Sequence, residues 1–231
     1  MGYGIKSYVL RAGRMSPAQR RSYETLSPLF CVPFAAAPLN FSQVFGNENP
    51  VTLEIGFGMG LATALIAQEN PGQNYLGVEV HRPGIGRLLW EIENRGLSNI
   101  RILEADAAEV LEKMISPESL AAFHIFFPDP WPKKRHHKRR LIRRPFTEAL
   151  AEKLRPGGYV YMTTDWADYG DWALAELSAT EGLQNPYSGF APGQDWRPLT
   201  RFEQKGIEKK LELRELYFIK RQNNEKQRRA P

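Results

Sequence analysis

A glycine-rich turn between an apolar run and a helix-forming segment is the first feature of the sequence that could support chemistry. Residues 51–60 read VTLEIGFGMG, in which Glu54 lies within the apolar run, and residues 61–67 have a helix-forming composition. Glycines at alternate positions allow a sharp turn and a close approach of a ligand, while the helix offers free N–H groups. The pattern predicts strand, cofactor-binding turn and helix; a turn that serves packing alone is the alternative. The glycines are Gly56, Gly58 and Gly60.

An acid follows the second apolar run at a distance typical of cofactor-binding folds. Glu79 ends the predicted strand at 74–80, nineteen residues after Gly60, where α/β folds place a ribose-binding acid. A carboxylate that caps a turn is the alternative. A nicotinamide-dependent oxidoreductase would share this acid, but its G-x-G-x-x-G spacing is absent and no hydride-transfer residues stand out.

Further acids follow the next predicted strands. Asp106 comes after the strand at 100–104 and could accept a hydrogen bond from an adenine amino group, although a helix cap explains it nearly as well. Asp129 follows the apolar strand at 123–127, between two prolines that stiffen its loop, and Asp165 follows the strand at 159–164. Because parallel strands end at a common edge, these acids are expected to line one site.

A dense run of cations follows Asp129 directly. Residues 133–144 contain eight Lys/Arg and no acid. Cations at this density neutralise phosphates and would hold a nucleic acid over the cofactor site. The alternative is a solvated surface without a binding role. His136 and His137 lack a third ligand nearby in sequence, so no metal site is expected.

Charge and composition restrict the class of protein. The chain has 231 residues and a net charge of +5, but residues 1–21, 133–144 and 220–231 together carry +17, which leaves −12 for the rest. This segregation predicts an acidic body with basic segments that bind a polyanion. The single Cys31, the lack of a signal-peptide pattern and the prolines in the uncharged stretch 25–47 favour a cytoplasmic protein without a membrane span.

The elements that must position these residues alternate between strand and helix. This alternation predicts a mainly parallel sheet covered on both faces. We expect a basic arm and irregular wrap at 1–48, one catalytic domain at 49–221 and a disordered basic tail at 222–231. The remaining predicted elements are a short helix from Ser16–Pro17, helices at 83–95, 144–154 and 168–179, and a closing strand at 211–221.

Five segments in this order resemble bacterial tRNA (guanine-N7)-methyltransferases: EIGFGMG, GVEVHRPG, PDPWPKKRHHKRR, TTDW and TRFE. The resemblance runs from about residue 7 to residue 221. It implies a Rossmann-like class I methyltransferase fold, with a mainly parallel seven-stranded sheet. It also implies methyl transfer from S-adenosyl-L-methionine to N7 of a guanine in the tRNA variable loop, by a protein expected to be a monomer, with a dimer as the alternative.

The resemblance assigns roles by matching positions. The cofactor-contacting acids are Glu54, Glu79, Asp106 and Asp129, beside Gly56, Gly58 and Gly60 of the turn, and Asp129 is also the catalytic position. The substrate-contacting positions are Lys133, Asp165, Thr200, Arg201, Phe202 and Glu203. The RNA-contacting positions are Arg135, His136, His137, Lys138, Arg139 and Arg140.

Two other activities stay open on the sequence alone. The Asp-Pro-Trp segment is similar to the [D/N]-P-P-[Y/F/W] loop of amino-group methyltransferases, but it is one proline short. An enzyme that methylates adenine or cytosine is therefore the closest alternative. An RNA-binding protein that has lost its cofactor is the other, although such a protein could dispense with Glu54 or Glu79, and both are present.

Overall fold

The computed structural model describes residues 6–9, 13–198 and 212–222. These residues form seven strands, seven α-helices and one 3-10 helix. The strands are β1 (Val51–Ile55), β2 (Asn74–Glu79), β3 (Ile100–Glu104), β4 (Leu120–Phe126), β5 (Leu154–Thr164), β6 (Leu183–Gln184) and β7 (Arg214–Lys220). The helices are α1 (Pro17–Phe30), α2 (Phe41–Phe45), α3 (Leu61–Glu69), α4 (Arg82–Arg95), α5 (Ala107–Lys113), α6 (Phe146–Lys153) and α7 (Ala167–Ser178), and the 3-10 helix is Lys134–Arg139.

The strands form one sheet in the order β3-β2-β1-β4-β5-β7-β6. β1 to β5 pair in parallel, and β7 runs antiparallel to both β5 and β6. Every residue of β1, β2 and β4 is buried, as expected for central strands that are covered on both faces. The predicted Rossmann-like sheet is confirmed.

Two hydrophobic clusters cover the two faces of the sheet. One is formed with α3 and α4, through residues such as Ile66, Leu88 and Ile92. The other is formed with α5, α6 and α7, through residues such as Leu111 and Leu150. Each buried side chain of this kind contributes roughly 1.5–3 kcal/mol to folding, so the two layers fix the sheet on which the site depends.

The N-terminal helix is longer than predicted. Ser16 and Gln19 form a capping box, Pro17 occupies the first turn, and the helix continues to Phe30. Contact with α4 explains the extension, because Arg21 forms an ion pair with Glu93 of α4, and Tyr23, Leu26 and Phe30 pack against the cluster to which α4 contributes. The stretch after it, predicted as irregular, also contains the one-turn helix α2, capped by Asn40.

Smaller differences concern the ends of elements. β5 begins at Leu154, whereas the strand was predicted to begin at residue 159, because Gly157 adopts φ +77° and the register of β4 and β5 shifts there, as in a β-bulge. The closing strand begins at Arg214, α6 begins at Phe146, and the basic run forms the 3-10 helix. None of the helices in the described ranges has the length and apolarity to cross a bilayer.

Candidate cofactor and nucleic-acid site

The carboxyl ends of five parallel strands bring the predicted acids to one edge of the sheet. Following the strand order from β3 to β5, the edge carries Asp106, Glu79, the glycine turn, Asp129 and Asp165. Neighbouring strands lie about 4.8 Å apart, so these groups form a single row. The glycine turn and the Asp129 loop lie on either side of the point where the chain reverses its direction of strand addition, the usual ligand site of such folds.

All three glycines of the turn adopt left-handed backbone conformations. Their φ angles are +72° at Gly56, +58° at Gly58 and +70° at Gly60. A Cβ added at Gly56 or Gly58 would meet nothing within 4 Å, whereas one at Gly60 would lie 2.6 Å from the Leu88 side chain. The first two glycines therefore leave open space for a ligand, and the third allows α3 to pack against α4.

Glu79 connects the turn to the second strand. One carboxylate oxygen accepts from the Gly58 amide at 2.9 Å, and the other accepts from the amides of Val80 and His81 at 2.7 and 3.0 Å. Its residue exposure is 9%. Its two oxygens offer about four lone-pair sites, of which these amides use three, so about one acceptor position remains for a ligand hydroxyl.

Glu54 is a buried acid with an unsatisfied oxygen. It is 2% exposed, and its Oε2 has no hydrogen-bond partner among the described residues. Burial raises the pKa of Glu54 to about 7; the Thr63 hydroxyl acts in the opposite direction and the Glu79 charge adds to the increase. An orphaned carboxylate of this kind, beside an open glycine turn, fits a ligand that carries an ammonium group, as the methionine part of S-adenosylmethionine does.

Asp106 caps a helix, as its alternative interpretation predicted. Its Oδ1 accepts from the Ala108 amide at 2.8 Å at the start of α5. Lys6 and Ser7 line, together with Asp106, a small surface recess. Burial, and then the charge of Asp106, raises the pKa of the Tyr8 phenol beside it. The cap and a ligand contact use different lone pairs, so the two roles are compatible.

The loop that carries Asp129 is strained and firmly held. Phe127 and Trp131 adopt φ values of +50° and +48°, a region that bulky residues rarely enter at a cost of about 1–3 kcal/mol each. The Trp131 indole N–H donates to the Ser7 carbonyl at 2.9 Å, and the Arg139 guanidinium lies 4.8 Å from the indole ring centre. The Asp129 side chain itself is exposed at the edge of the sheet.

Ser7 and Tyr8 also contribute to this edge, although the sequence pattern predicts no such role for them. They belong to a segment that was interpreted only as a basic arm, yet Ser7 bonds to the loop and Tyr8 lies beside Asp106. No local pattern in the sequence predicts these contacts, because their partners lie about a hundred residues away along the chain.

The basic run presents cations of two kinds. Lys133, Lys134, Arg135 and Lys138 are exposed, as a phosphate-binding surface requires. The half-buried Arg139 covers Trp131, and the His136 and His137 rings lie edge-on to Trp131 and Trp172. Within the described ranges no group of three or more potential ligands could hold a metal ion.

Arg140 differs from the other predicted RNA-contacting residues in its burial. Its side chain has no exposed surface, its Nε donates to the Pro130 carbonyl at 3.0 Å, and its Nη2 forms an ion pair with Asp168. The guanidinium carbon lies 5.2 Å from the ring centre of Tyr169 and 5.1 Å from that of Trp172. A guanidinium enclosed in this way presents no surface to an RNA phosphate in this structure, and the RNA-contacting role of Arg140 stays a prediction that its surroundings do not favour.

The predicted substrate-contacting residues are only partly described. Lys133 is exposed directly before the 3-10 helix, and Asp165 is half-buried directly after β5, so both lie at the same edge as Asp129. Thr200, Arg201, Phe202 and Glu203 lie outside the described residues. Their assignment stays a prediction.

Comparison with known families and proteins shows extensive similarity. A family model described as "Putative methyltransferase" matches residues 48–216. A protein of Nitrosospira multiformis named tRNA (guanine-N(7)-)-methyltransferase is 49% identical over 218 residues, which cover 94% of this chain and 95% of that protein. A Burkholderia vietnamiensis protein of the same name is 51% identical over 217 residues, which cover 94% and 85% of the two chains.

Solved structures share the fold at low sequence identity. The 16S rRNA methyltransferase KamB superposes with a TM-score of 0.57 at 13% identity, covering 79% of this chain and 93% of KamB. The antibiotic-resistance methyltransferase Kmr gives a TM-score of 0.51 at 16% identity, covering 93% and 98% of the two chains. These similarities support the methyltransferase fold and do not bear on the substrate.

Proposed function

This chain belongs to the tRNA (guanine-N7)-methyltransferase family, and we propose that it transfers the methyl group of S-adenosylmethionine to N7 of a guanine in the tRNA variable loop. The observation that carries the cofactor assignment is the orphaned, buried Glu54 carboxylate beside the open glycine turn. The choice of acceptor atom rests on relatives of about 50% identity that are named for it. The choice of the variable loop rests on the sequence resemblance alone.

The cofactor would lie across the carboxyl ends of β1, β2 and β3. Glu54 would accept from the ammonium group, Glu79 from the ribose hydroxyls and Asp106 from the adenine amino group. Gly56 and Gly58 would allow the backbone to approach without a steric clash. When bound, S-adenosylmethionine supplies a methyl group on a positively charged sulfur, and the row of acids complements that charge.

Asp129 would orient the acceptor and stabilise charge rather than remove a proton. The N7 atom of guanine has a lone pair and no proton at neutral pH, so its methylation requires no general base. As the methyl group moves, positive charge passes from the sulfur to the guanine ring, and a fixed carboxylate beside this path stabilises it throughout. The strained, anchored loop supports this role because it fixes the carboxylate before the substrate binds.

The tRNA would bind over the same edge through the exposed cations. Lys133, Arg135 and Lys138 present their charges to solvent directly after the Asp129 loop. Phosphate contacts from these side chains would position the RNA without reading its sequence. A base extruded from the loop could then reach Asp129, with Asp165 beside it.

The amino-group alternative is less well supported. Its loop needs a second proline where this chain has Trp131, and the relatives that match nearly the whole chain are named for guanine N7. The domain boundaries, the monomeric state and the cytoplasmic location stay predictions.

A direct test is to incubate the protein with methyl-labelled S-adenosylmethionine and bulk tRNA, and then to identify the modified nucleoside and its position by mass spectrometry of nuclease fragments. We expect 7-methylguanosine in fragments from the variable loop. A transcript with adenine in place of that guanine is the matched control and should receive no label. Label in N6-methyladenosine, or in a guanine elsewhere in the tRNA, would contradict the proposal.

A further inference from the structure

We propose that Arg140 is a positioning residue for the Asp129 loop, although it lies within a run of otherwise RNA-facing cations. This inference rests on the proposed role of Asp129. It separates the basic run into exposed cations that meet the RNA and one enclosed cation that sets the geometry of the reaction.

The contacts of Arg140 join three parts of the site. Its Nε donates to the carbonyl of Pro130, the residue that follows Asp129, and its Nη2 is paired with Asp168 in the first turn of α7. Its own backbone N–H donates to the His137 carbonyl at 2.9 Å, which ties it to the end of the 3-10 helix. Arg140 therefore connects the catalytic loop and a helix packed on the sheet through its guanidinium, and the end of the 3-10 helix through its backbone.

The surroundings hold that guanidinium in one orientation. Tyr169 and Trp172 both place their rings about 5 Å from its central carbon. Those rings are fixed in turn, because the Trp172 N–H donates to the Ile142 carbonyl at 2.7 Å and the Tyr169 hydroxyl accepts from the Ile142 amide at 3.2 Å. The guanidinium of Arg140 is planar and lies between two aromatic rings. Lysine cannot replace it there, because an ammonium group is a compact charge without a planar set of donors.

The same geometry excludes a phosphate contact. The Arg140 side chain has 0% exposure, whereas its partner Asp168 is 64% exposed. Nη1 of Arg140 has no partner among the described residues, but it is enclosed like the rest of the side chain. An incoming phosphate would also meet the negative charge of Asp168 before it met the guanidinium.

The Pro130 bond gives the arrangement its catalytic consequence. Asp129 lies between Phe127 and Trp131, which both have strained left-handed backbones, and such a conformation persists only where its surroundings enforce it. The bond from Arg140 to Pro130 is one such restraint, and the bond from Trp131 to Ser7 is another. Release of the Pro130 carbonyl would let Asp129 shift relative to the cofactor, and a displacement of about 1 Å can lower a rate about a hundredfold.

Arg140→Lys provides the sharpest test because it retains the positive charge. A phosphate contact would largely survive this change. The paired hydrogen bonds of the guanidinium to Pro130 and Asp168, made between two aromatic rings, would not. We expect the single-turnover methylation rate at saturating tRNA and S-adenosylmethionine to fall by about tenfold or more. The tRNA dissociation constant and its dependence on salt should stay at the parent values.

Asp168→Asn is the second variant, and it changes a residue whose side chain is 64% exposed. It should lower the saturated rate in the same direction while leaving tRNA binding unchanged or slightly tighter. Arg95→Lys is the matched control, because Arg95 also pairs with a helical acid, Glu91, but it lies on α4, outside the basic run, and makes no described contact with the loop. Its rate should match that of the parent, and thermal unfolding should show that all three variants are folded.

Asp129→Ala separates this inference from the proposed function. If Asp129→Ala lowers the saturated rate and Arg140→Lys does not, the positioning role is wrong. Likewise, a change in salt dependence in Arg140→Lys, with an unchanged saturated rate, would show that Arg140 contacts RNA. If Asp129→Ala itself leaves the rate unchanged, the proposed catalytic role fails and this inference fails with it.

Discussion

The carboxylate of Glu79 accepts a hydrogen bond from the backbone amide of Gly58 at 2.9 Å. The acid at the end of β2 and the glycine turn after β1 therefore form one unit, although 21 positions separate them. Any ligand that contacts one of them depends on the position of the other.

Replacement of Glu79 by Gln should weaken cofactor binding. The amide retains the size of the side chain but loses the charge and one acceptor atom. It therefore cannot accept hydrogen bonds from the amides of Gly58, Val80 and His81 and from a ribose hydroxyl at the same time. We expect calorimetry with S-adenosylmethionine to show a loss of roughly 1.5–3 kcal/mol. Glu109→Gln on the exposed side of α5 is the control, and equal affinities of the two variants would argue against the ribose assignment.

Gly84→Ala tests the contact between the glycine turn and α4. A Cβ at this position would lie 1.9 Å from the Gly58 carbonyl oxygen, so the turn and the helix would have to separate. Overpacking of this kind costs about 1–3 kcal/mol, and we expect a lower melting temperature together with weaker cofactor binding. Gly72→Ala, where an added Cβ meets nothing within 4 Å, should change neither quantity. An unaffected Gly84→Ala variant would show that the turn adjusts freely.

Glu54 should make the stability of the ligand-free protein depend on pH. Because burial raises its pKa from 4.5 to about 7, the folded protein binds a proton between these values that the unfolded chain has released. The free energy of unfolding therefore falls as pH rises through this window, and the loss is complete above about pH 7. At 1.36 kcal/mol per pKa unit its size is on the order of 3 kcal/mol.

The corresponding variant is Glu54→Gln, which cannot ionise. Urea unfolding should find it more stable than the parent at about pH 8, with a much smaller difference near pH 3.5, below both pKa values, where the parent side chain is largely neutral in both states. Binding of S-adenosylmethionine should be weaker in the variant, because the charged acceptor for its ammonium group is gone. A stability difference that is the same at both pH values would show that Glu54 does not titrate as described.

Joint replacement of Arg135 and Lys138 by Ala should reduce the salt dependence of tRNA binding. Each phosphate contact contributes roughly 0.7–0.9 to the slope of log affinity against log salt, so loss of two contacts should flatten it by about 1.5. Cofactor affinity should not change. Lys113→Ala on α5 removes an exposed cation far along the chain from the run and is the control. If the double variant keeps the parent slope, these cations form only a solvated surface.

Replacement of Asp129 distinguishes charge stabilisation from base catalysis. With cofactor and tRNA saturating, we expect the single-turnover rate of the parent to be nearly flat from about pH 6.5 to 8.5, because N7 has no proton to remove. Asp129→Asn and Asp129→Ala should both lower the rate by orders of magnitude without a new pH dependence. A parent rate that rises about tenfold per pH unit would instead indicate a general base.

The sequence predicted the arrangement of the site edge because strand ends follow from local patterns. Apolar runs followed by an acid or a glycine placed Glu79, Asp106 and Asp129 beside one another, and the structure brings them to the same edge. The signal is local, since it requires only the direction of each strand and the rule that parallel strands end together.

The interior role of Arg140 could not be predicted in the same way. In the sequence it is one of several adjacent cations, and only the fold brings α7 beside it. Asp168 and Tyr169 each lie near Trp172 on that helix, at spacings of four and three, but nothing local connects them to position 140. The length of α1 was missed for a similar reason, since contact with α4 determines it.

The bond between Ser7 and Trp131 has a consequence for the order in which the enzyme becomes active during its synthesis. The ribosome makes Ser7 124 residues before its partner, and Asp168 follows later still. β5 then lacks its antiparallel neighbour until residues 214–220 have been made. A nascent chain therefore has no finished catalytic loop while most of the sheet is being translated, and fragments released before α7 should be inactive on tRNA.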